Sequence, residues 1–146
     1  MKKLMLIGKV ACGKTTLCQY LTNQSIKYKK TQALEVTGNI IDTPGEYVER
    51  RQFYQALAVT SMEADIVLLL HDPTDMTFTL PPGLQAMFQR PMVGVITKSD
   101  LIKDESQLVR AEKNLALAGA NPIFKICSMN GEGIEELIDY LTKDTE

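Results

Sequence analysis

Nine consecutive residues, Gly8-Lys9-Val10-Ala11-Cys12-Gly13-Lys14-Thr15-Thr16, constrain this chain more than any other segment. They follow the apolar run Leu4-Met5-Leu6-Ile7 and lead into a helix-compatible stretch, residues 15–22. A strand that ends in Gly-x4-Gly-Lys-Thr and turns into a helix points several backbone N–H groups inward, where they converge on phosphate oxygens. Gly8 and Gly13 allow a close backbone approach that a β-carbon would obstruct. The helix N-terminus adds partial positive charge. Lys14 can then reach the β- and γ-phosphates and the Thr15 hydroxyl can ligate Mg²⁺, while residues 8–16 as a whole form the cradle. The segment reads as a nucleotide-binding P-loop. Cys12 within it reads as a small space-filler rather than a reactive thiol.

With 146 residues the chain is expected to form one domain, residues 1–146. Its formal net charge is -2 and its lysines and arginines are dispersed, which gives no case for nucleic acid or an anionic membrane as partner. Three cysteines in neither a metal-ligand nor a redox spacing fit a reduced, cytoplasmic protein. No apolar run approaches a membrane span. Short, continuously apolar runs at Leu4–Ile7, 66–70, Met92–Ile96 and 123–127 suit strands buried on both faces of a parallel sheet. Helix-length segments lie between and after them, at 15–22, about 49–62, Glu105–Ala118 and Ile134–Thr142. Residues 33–36 and 39–43 flank Thr37-Gly38 and suit a short antiparallel hairpin. This alternation predicts an α/β fold with a doubly wound, mostly parallel sheet and a ligand beyond the carboxyl ends of its strands.

Two further motifs fall at those ends. Asp42-Thr43-Pro44-Gly45 closes the run Asn39-Ile40-Ile41. A carboxylate there can hold Mg²⁺ opposite the Thr15 hydroxyl, and Gly45 can offer its N–H to a γ-phosphate and let the loop reorder when that phosphate leaves. Thr97-Lys98-Ser99-Asp100 follows Met92–Ile96. The Asp100 carboxylate can accept hydrogen bonds from guanine N1–H and N2–H₂, where adenine presents a lone pair. Sites of this kind reject the analogue lacking the group by about 10⁴- to 10⁵-fold. The Lys98 stem can pack over the base plane.

In this order the three motifs resemble those of Ras-like small GTPases, which implies a Ras-like P-loop NTPase fold. A closer resemblance is to the ethanolamine- and propanediol-utilisation (EutP/PduV) family. It is carried along the chain by Gly8-Lys9-Val10-Ala11-Cys12-Gly13-Lys14-Thr15-Thr16-Leu17, Tyr28-Lys29-Lys30-Thr31-Gln32-Ala33, Asp42-Thr43-Pro44-Gly45-Glu46-Tyr47 and Thr97-Lys98-Ser99-Asp100. That family is associated with bacterial microcompartment pathways, which implies a cytoplasmic, microcompartment-associated protein. The GTPase pattern places Cys127-Ser128-Met129 where backbone groups contact the guanine carbonyl, so Ser128 and Met129 join the base site. Only 28 positions (42 minus 14) separate Lys14 from Asp42, which makes the switch I region short. Thr31 is the candidate for the switch hydroxyl that completes the Mg²⁺ shell, against the alternative of an ordinary strand-entry residue. Glu46 follows Gly45 where many regulatory GTPases have a water-positioning glutamine, and its charge near a γ-phosphate implies slow turnover.

The expected function is therefore Mg²⁺-dependent binding of GTP or GDP with slow GTP hydrolysis. Lys14, Glu46 and Thr31 are the catalytic candidates, and Thr15, Thr31 and Asp42 the metal ligands. Switch-loop order would be read by a protein partner, with microcompartment components as candidates. One alternative is an acetate kinase-type phosphotransferase using GTP or ATP, a role ascribed to the resembling family. Another is a non-catalytic nucleotide-binding scaffold. Arg50 and Arg51 are expected to be exposed helix-start residues rather than an arginine finger, and His71 a hydrogen-bonded structural histidine.

Overall fold

The computed structural model describes residues 3–9, 17, 40–43, 51–75, 81–127 and 131–142, with the side chains of Asp42 and Thr142 excepted. Among them five strands form one sheet: β1 (Leu4–Ile7), β2 (Ile40–Asp42), β3 (Ile66–His71), β4 (Met92–Ile96) and β5 (Ile123–Lys125). Their order is β2-β1-β3-β4-β5, and every neighbouring pair is parallel. Three α-helices are described: α1 (Tyr54–Ser61), α2 (Glu105–Ala118) and α3 (Ile134–Thr142).

The apolar runs are continuous because both faces of the sheet are covered. On one face Met5, Ile7, Val67, Leu69, Met92 and Ile96 pack with Leu57 of α1 and with Ala111, Leu115 and Ala118 of α2. On the other, Leu4, Leu6, Leu68, Val93 and Val95 pack with Leu17 and with Ile134, Leu137 and Leu141 of α3. The result is the doubly wound α/β fold that the alternation predicts. Leu17, the one described residue of the helix expected at 15–22, is helical and fully buried. Residues 33–36, the first arm of the expected hairpin, lie outside the described residues; the second arm is β2, which runs parallel to β1.

Local chemistry sets the helix ends. The Asp104 side chain accepts from the Ser106 N–H and starts α2, and Gly119 ends it at φ 101° in the left-handed region. Gly133, at φ 79°, enters α3 with its α-carbon so close to the Lys125 carbonyl that any β-carbon would collide with it. The helix expected from about residue 49 is a 3-10 turn over Arg51–Phe53 before α1 begins. The strand expected to reach Cys127 ends at Lys125, because the Cys127 N–H leaves the sheet to donate to the Glu132 carbonyl at 2.8 Å.

Candidate functional site

The strand order reverses direction at the boundary between β1 and β3. β2 lies on one side of β1, while β3, β4 and β5 step away on the other. The crevice beyond the carboxyl ends of strands at such a point is where open α/β sheets take their ligands. Gly8, buried, and Lys9, half-buried, leave β1 at this point. The remaining P-loop residues named from the sequence, Val10, Ala11, Cys12, Gly13, Lys14, Thr15 and Thr16, lie outside the described residues. So do Thr31, Gly45, Glu46, Ser128 and Met129.

The register of the sheet brings the other motifs to the same edge. Leu6 pairs with Asp42, so the Asp42 backbone stands beside β1 two residues before Gly8. The Thr43 hydroxyl, buried, donates to the Leu6 carbonyl at 2.7 Å and fixes the exit of β2 to β1. His71 pairs with Ile96, which sets Thr97–Asp100 next to the end of β3. Thr97 is buried; its N–H donates to the His71 carbonyl at 3.0 Å and its hydroxyl lies 3.4 Å from the same oxygen. Thr97 thus ties its loop to the end of β3. Lys98 takes the left-handed conformation at φ 52° and starts the 3-10 turn Ser99–Leu101. That turn leaves Asp100 exposed on the rim. The Ser99 N–H donates to the Ile126 carbonyl at 3.1 Å, so the end of β5 is anchored to the loop that carries Asp100.

Ion pairs link these loops. Lys98 Nζ lies 3.1 Å from Asp72 Oδ2, and Lys9 Nζ lies 2.8 Å from Asp75 Oδ2. Arg110 of α2 donates to the Asp75 carbonyl at 3.3 Å. Neither Asp75 nor Arg110 belongs to a recognisable motif, and their partners are 66 and 35 positions distant, so no sequence signal marks them. His71 sits beneath this network, 2% exposed, with Nε2 buried and without a hydrogen-bond partner among the described residues. On that nitrogen the expected hydrogen bond is missing. Burial lowers its pKa below the ordinary histidine value, helped by Arg110 and more weakly by Lys9, against the opposing pull of Asp75 and Asp72. The imidazole is therefore neutral at physiological pH. Arg51 is exposed, as expected of a helix-start residue, and Arg50 lies outside the described residues.

Gly8 approaches from the end of β1, and the Asp100 carboxylate waits beyond β4, two strand positions away. Adjacent strands are spaced about 4.8 Å apart, so the two motifs stand about 10 Å apart across the edge, a span that a base linked to a diphosphate can bridge. Among the described residues no three His, Cys, Asp or Glu side chains cluster to hold a metal ion, and no helix is long and apolar enough to cross a membrane.

Comparison with known proteins agrees with this architecture. The family model described as ethanolamine utilisation and propanediol utilisation, PduV-EutP, matches residues 1–143. The propanediol utilization protein PduV of Citrobacter freundii is 37% identical over 141 residues, covering 97% of this chain and 93% of the relative. The probable acetate kinase EutP of Escherichia coli strain K12 is 32% identical over 149 residues, covering 100% and 92%. Among solved structures, translation elongation factor SelB of Methanococcus maripaludis, in complex with the GTP analogue GppNHp, superposes with a TM-score of 0.65 at 23% identity. That match covers 96% of this chain and 33% of SelB, so the chain spans about a third of the larger protein's length. The fold is that of a Ras-like P-loop NTPase, and the chain belongs to the PduV-EutP family.

Proposed function

We propose that this chain, acting as one domain, binds GTP and GDP with Mg²⁺ and hydrolyses GTP slowly, its switch loops reporting the nucleotide state to a protein partner. The observation that carries this reading is the exposed Asp100 carboxylate, held on the carboxyl rim of β4 by the left-handed Lys98. A carboxylate in that place matches guanine's two donors and faces a lone pair on adenine. Gly8 to Thr16 would cradle the phosphates, and Lys14 would neutralise the β/γ oxygens. Thr15, Asp42 and Thr31 would hold Mg²⁺, which when bound supplies the charge neutralisation that phosphoryl transfer needs. Glu46 would orient water at the cost of like-charge repulsion. Ser128 and Met129 would complete the base pocket with backbone groups.

A second reading is favoured by one relative: the EutP protein bears the description probable acetate kinase at 32% identity over the full length of this chain. Here the same loop would pass a γ-phosphate to a small carboxylate, and a microcompartment-related metabolic role would follow. A single-turnover reaction with GTP, run with and without acetate, separates the two. The GTPase reading expects phosphate release at a rate indifferent to acetate, and Glu46→Gln raising that rate. Acetyl phosphate formed in stoichiometric yield would overturn it in favour of the second reading.

A further inference from the structure

Sequence motifs account for the loops after β1 and β4 but not for the turn between them, residues 72–75. β3 stands between β1 and β4, so this turn is flanked on both sides by loops the nucleotide reading uses. It is braced internally: the Thr74 N–H and hydroxyl donate to Asp72 Oδ1 at 2.8 and 2.6 Å, and the Asp75 N–H donates to the Asp72 carbonyl at 3.1 Å. Three cationic side chains from three different elements then close on it. Lys9, next to Gly8, reaches Asp75 Oδ2; Lys98, two residues before Asp100, reaches Asp72 Oδ2; Arg110 of α2 reaches the Asp75 carbonyl. The paired side chains are only 28% and 22% exposed at Lys9 and Asp75, and 34% and 14% at Lys98 and Asp72. Solvent screens such pairs less than it screens a fully exposed one.

We propose that the Asp72–Asp75 turn is a positioning element that locks the phosphate loop and the base-reading loop into one unit. A nucleotide's phosphate and base ends are then met at a fixed separation. The inference rests on the nucleotide reading, but its mechanical half does not. Two carboxylates on one braced turn hold one lysine from each loop, so loosening either pair frees one end of the ligand while the other stays seated. Asp75 acts on the phosphate end through Lys9. Asp72 acts on the base end through Lys98. The two aspartates should therefore differ in what they disturb, which a general loss of stability would not do.

The test uses dissociation of a fluorescent mant-GDP from Asp72→Asn, Asp75→Asn and the double variant, with ADP competition as a second readout. Each single variant should release mant-GDP about 5- to 10-fold faster than wild type. Asp75→Asn should keep the GDP-over-ADP preference, and Asp72→Asn should lower it several-fold. The exchanged pair Lys9→Asp with Asp75→Lys should restore much of the slow release lost in either single change. In nucleotide-free protein, a urea-unfolding double-mutant cycle over Lys9 and Asp75 should show coupling. Release rates within two-fold of wild type in all three variants, or no coupling in the cycle, would overturn the proposal. If Asp75→Asn does not fold, Lys9→Met removes the same ion pair and carries the same expectation. Wild-type protein that fails to bind mant-GDP would defeat the nucleotide reading instead, and the nucleotide-free cycle would still decide whether the turn locks the loops.

Discussion

The two edges of the sheet spend their polar groups differently. At the amino edge, polar groups satisfy backbone. The Lys3 N–H donates to Asp65 Oδ2 at 2.7 Å, and the Asp65 N–H returns to the Lys3 carbonyl at 2.7 Å. Arg90 places Nε 2.6 Å from the Ala64 carbonyl and Nη2 3.1 Å from the Met62 carbonyl, just past the C-terminus of α1. A cation there satisfies orphan carbonyls and complements the helix dipole. At the carboxyl edge Lys9 and Lys98 instead pair with carboxylates across separate loops, Asp100 stays exposed, and a buried imidazole nitrogen has no partner among the described residues. One edge closes the fold. The other keeps strong donors and acceptors at loop positions, where a ligand with phosphates and a base could use them.

Substitutions at the two edges should accordingly separate stability from binding. The largest binding effect belongs to Lys14→Ala, which on the proposed reading removes the lysine that would neutralise the β/γ oxygens. A charge-assisted bond of this kind contributes about 1.5–3 kcal/mol. Calorimetry should find triphosphate affinity reduced by at least about tenfold while circular dichroism stays unchanged; wild-type affinity would remove the P-loop from the account. At the opposite edge, Arg90→Ala should cost about 1–2 kcal/mol of unfolding free energy by leaving carbonyls at the end of α1 unpaired. Its folded fraction should bind nucleotide as wild type does, and weakened binding would erase the distinction between the edges.

Between the edges, Gly94→Ala should cost about 1–3 kcal/mol in chemical denaturation. Its new β-carbon would meet the Ala120 β-carbon at 3.0 Å, Ile123 at 3.1 Å and Leu115 at 3.3 Å. A neutral result there would mean that α2 can shift outward without loss.

The smallest effect is the pH dependence due to His71. Its folded pKa lies below the ordinary 6.5, chiefly through burial, with Arg110 and Lys9 adding to the shift and Asp75 and Asp72 opposing it. Below pH 6.5 the unfolded chain binds a proton that the folded chain refuses, so the contribution present above that pH is lost as pH falls toward the folded pKa. Unfolding curves at pH 7.5 and 5.5 should show this loss in the wild type and a reduced loss in His71→Gln. Equal slopes would take His71 out of the balance.

What the sequence made legible follows from how local each determinant is. β1, β4, α2 and α3 have the boundaries expected from the apolar runs and from the helix-length segments among them. Each depends on residues within a few positions of itself. Recognition of the family rested in the same way on short motifs, and the family match and the fold agree with it. The 3-10 helix at Leu84–Met87 was not anticipated, although Pro81-Pro82-Gly83 marks a turn before it. The early end of β5 depends on a pairing between Cys127 and Glu132, which no run of residue types reveals. The same holds for the site. Asp100 could be named from four residues, whereas Asp75 acquires meaning only once β3 is known to lie between β1 and β4 and Lys9 is seen to reach it across 66 positions. Pairings at that range are set by topology.

The proposed function turns on whether Asp100 reads guanine, and a calorimetric titration of the wild-type chain with GDP and with ADP, each with Mg²⁺, measures this directly. A carboxylate accepting from N1–H and N2–H₂ predicts GDP at least about 100-fold tighter than ADP, some 2.8 kcal/mol, with Asp100→Asn collapsing the difference. ADP binding as tightly as GDP would contradict the guanine assignment and leave the phosphotransferase reading as the better one.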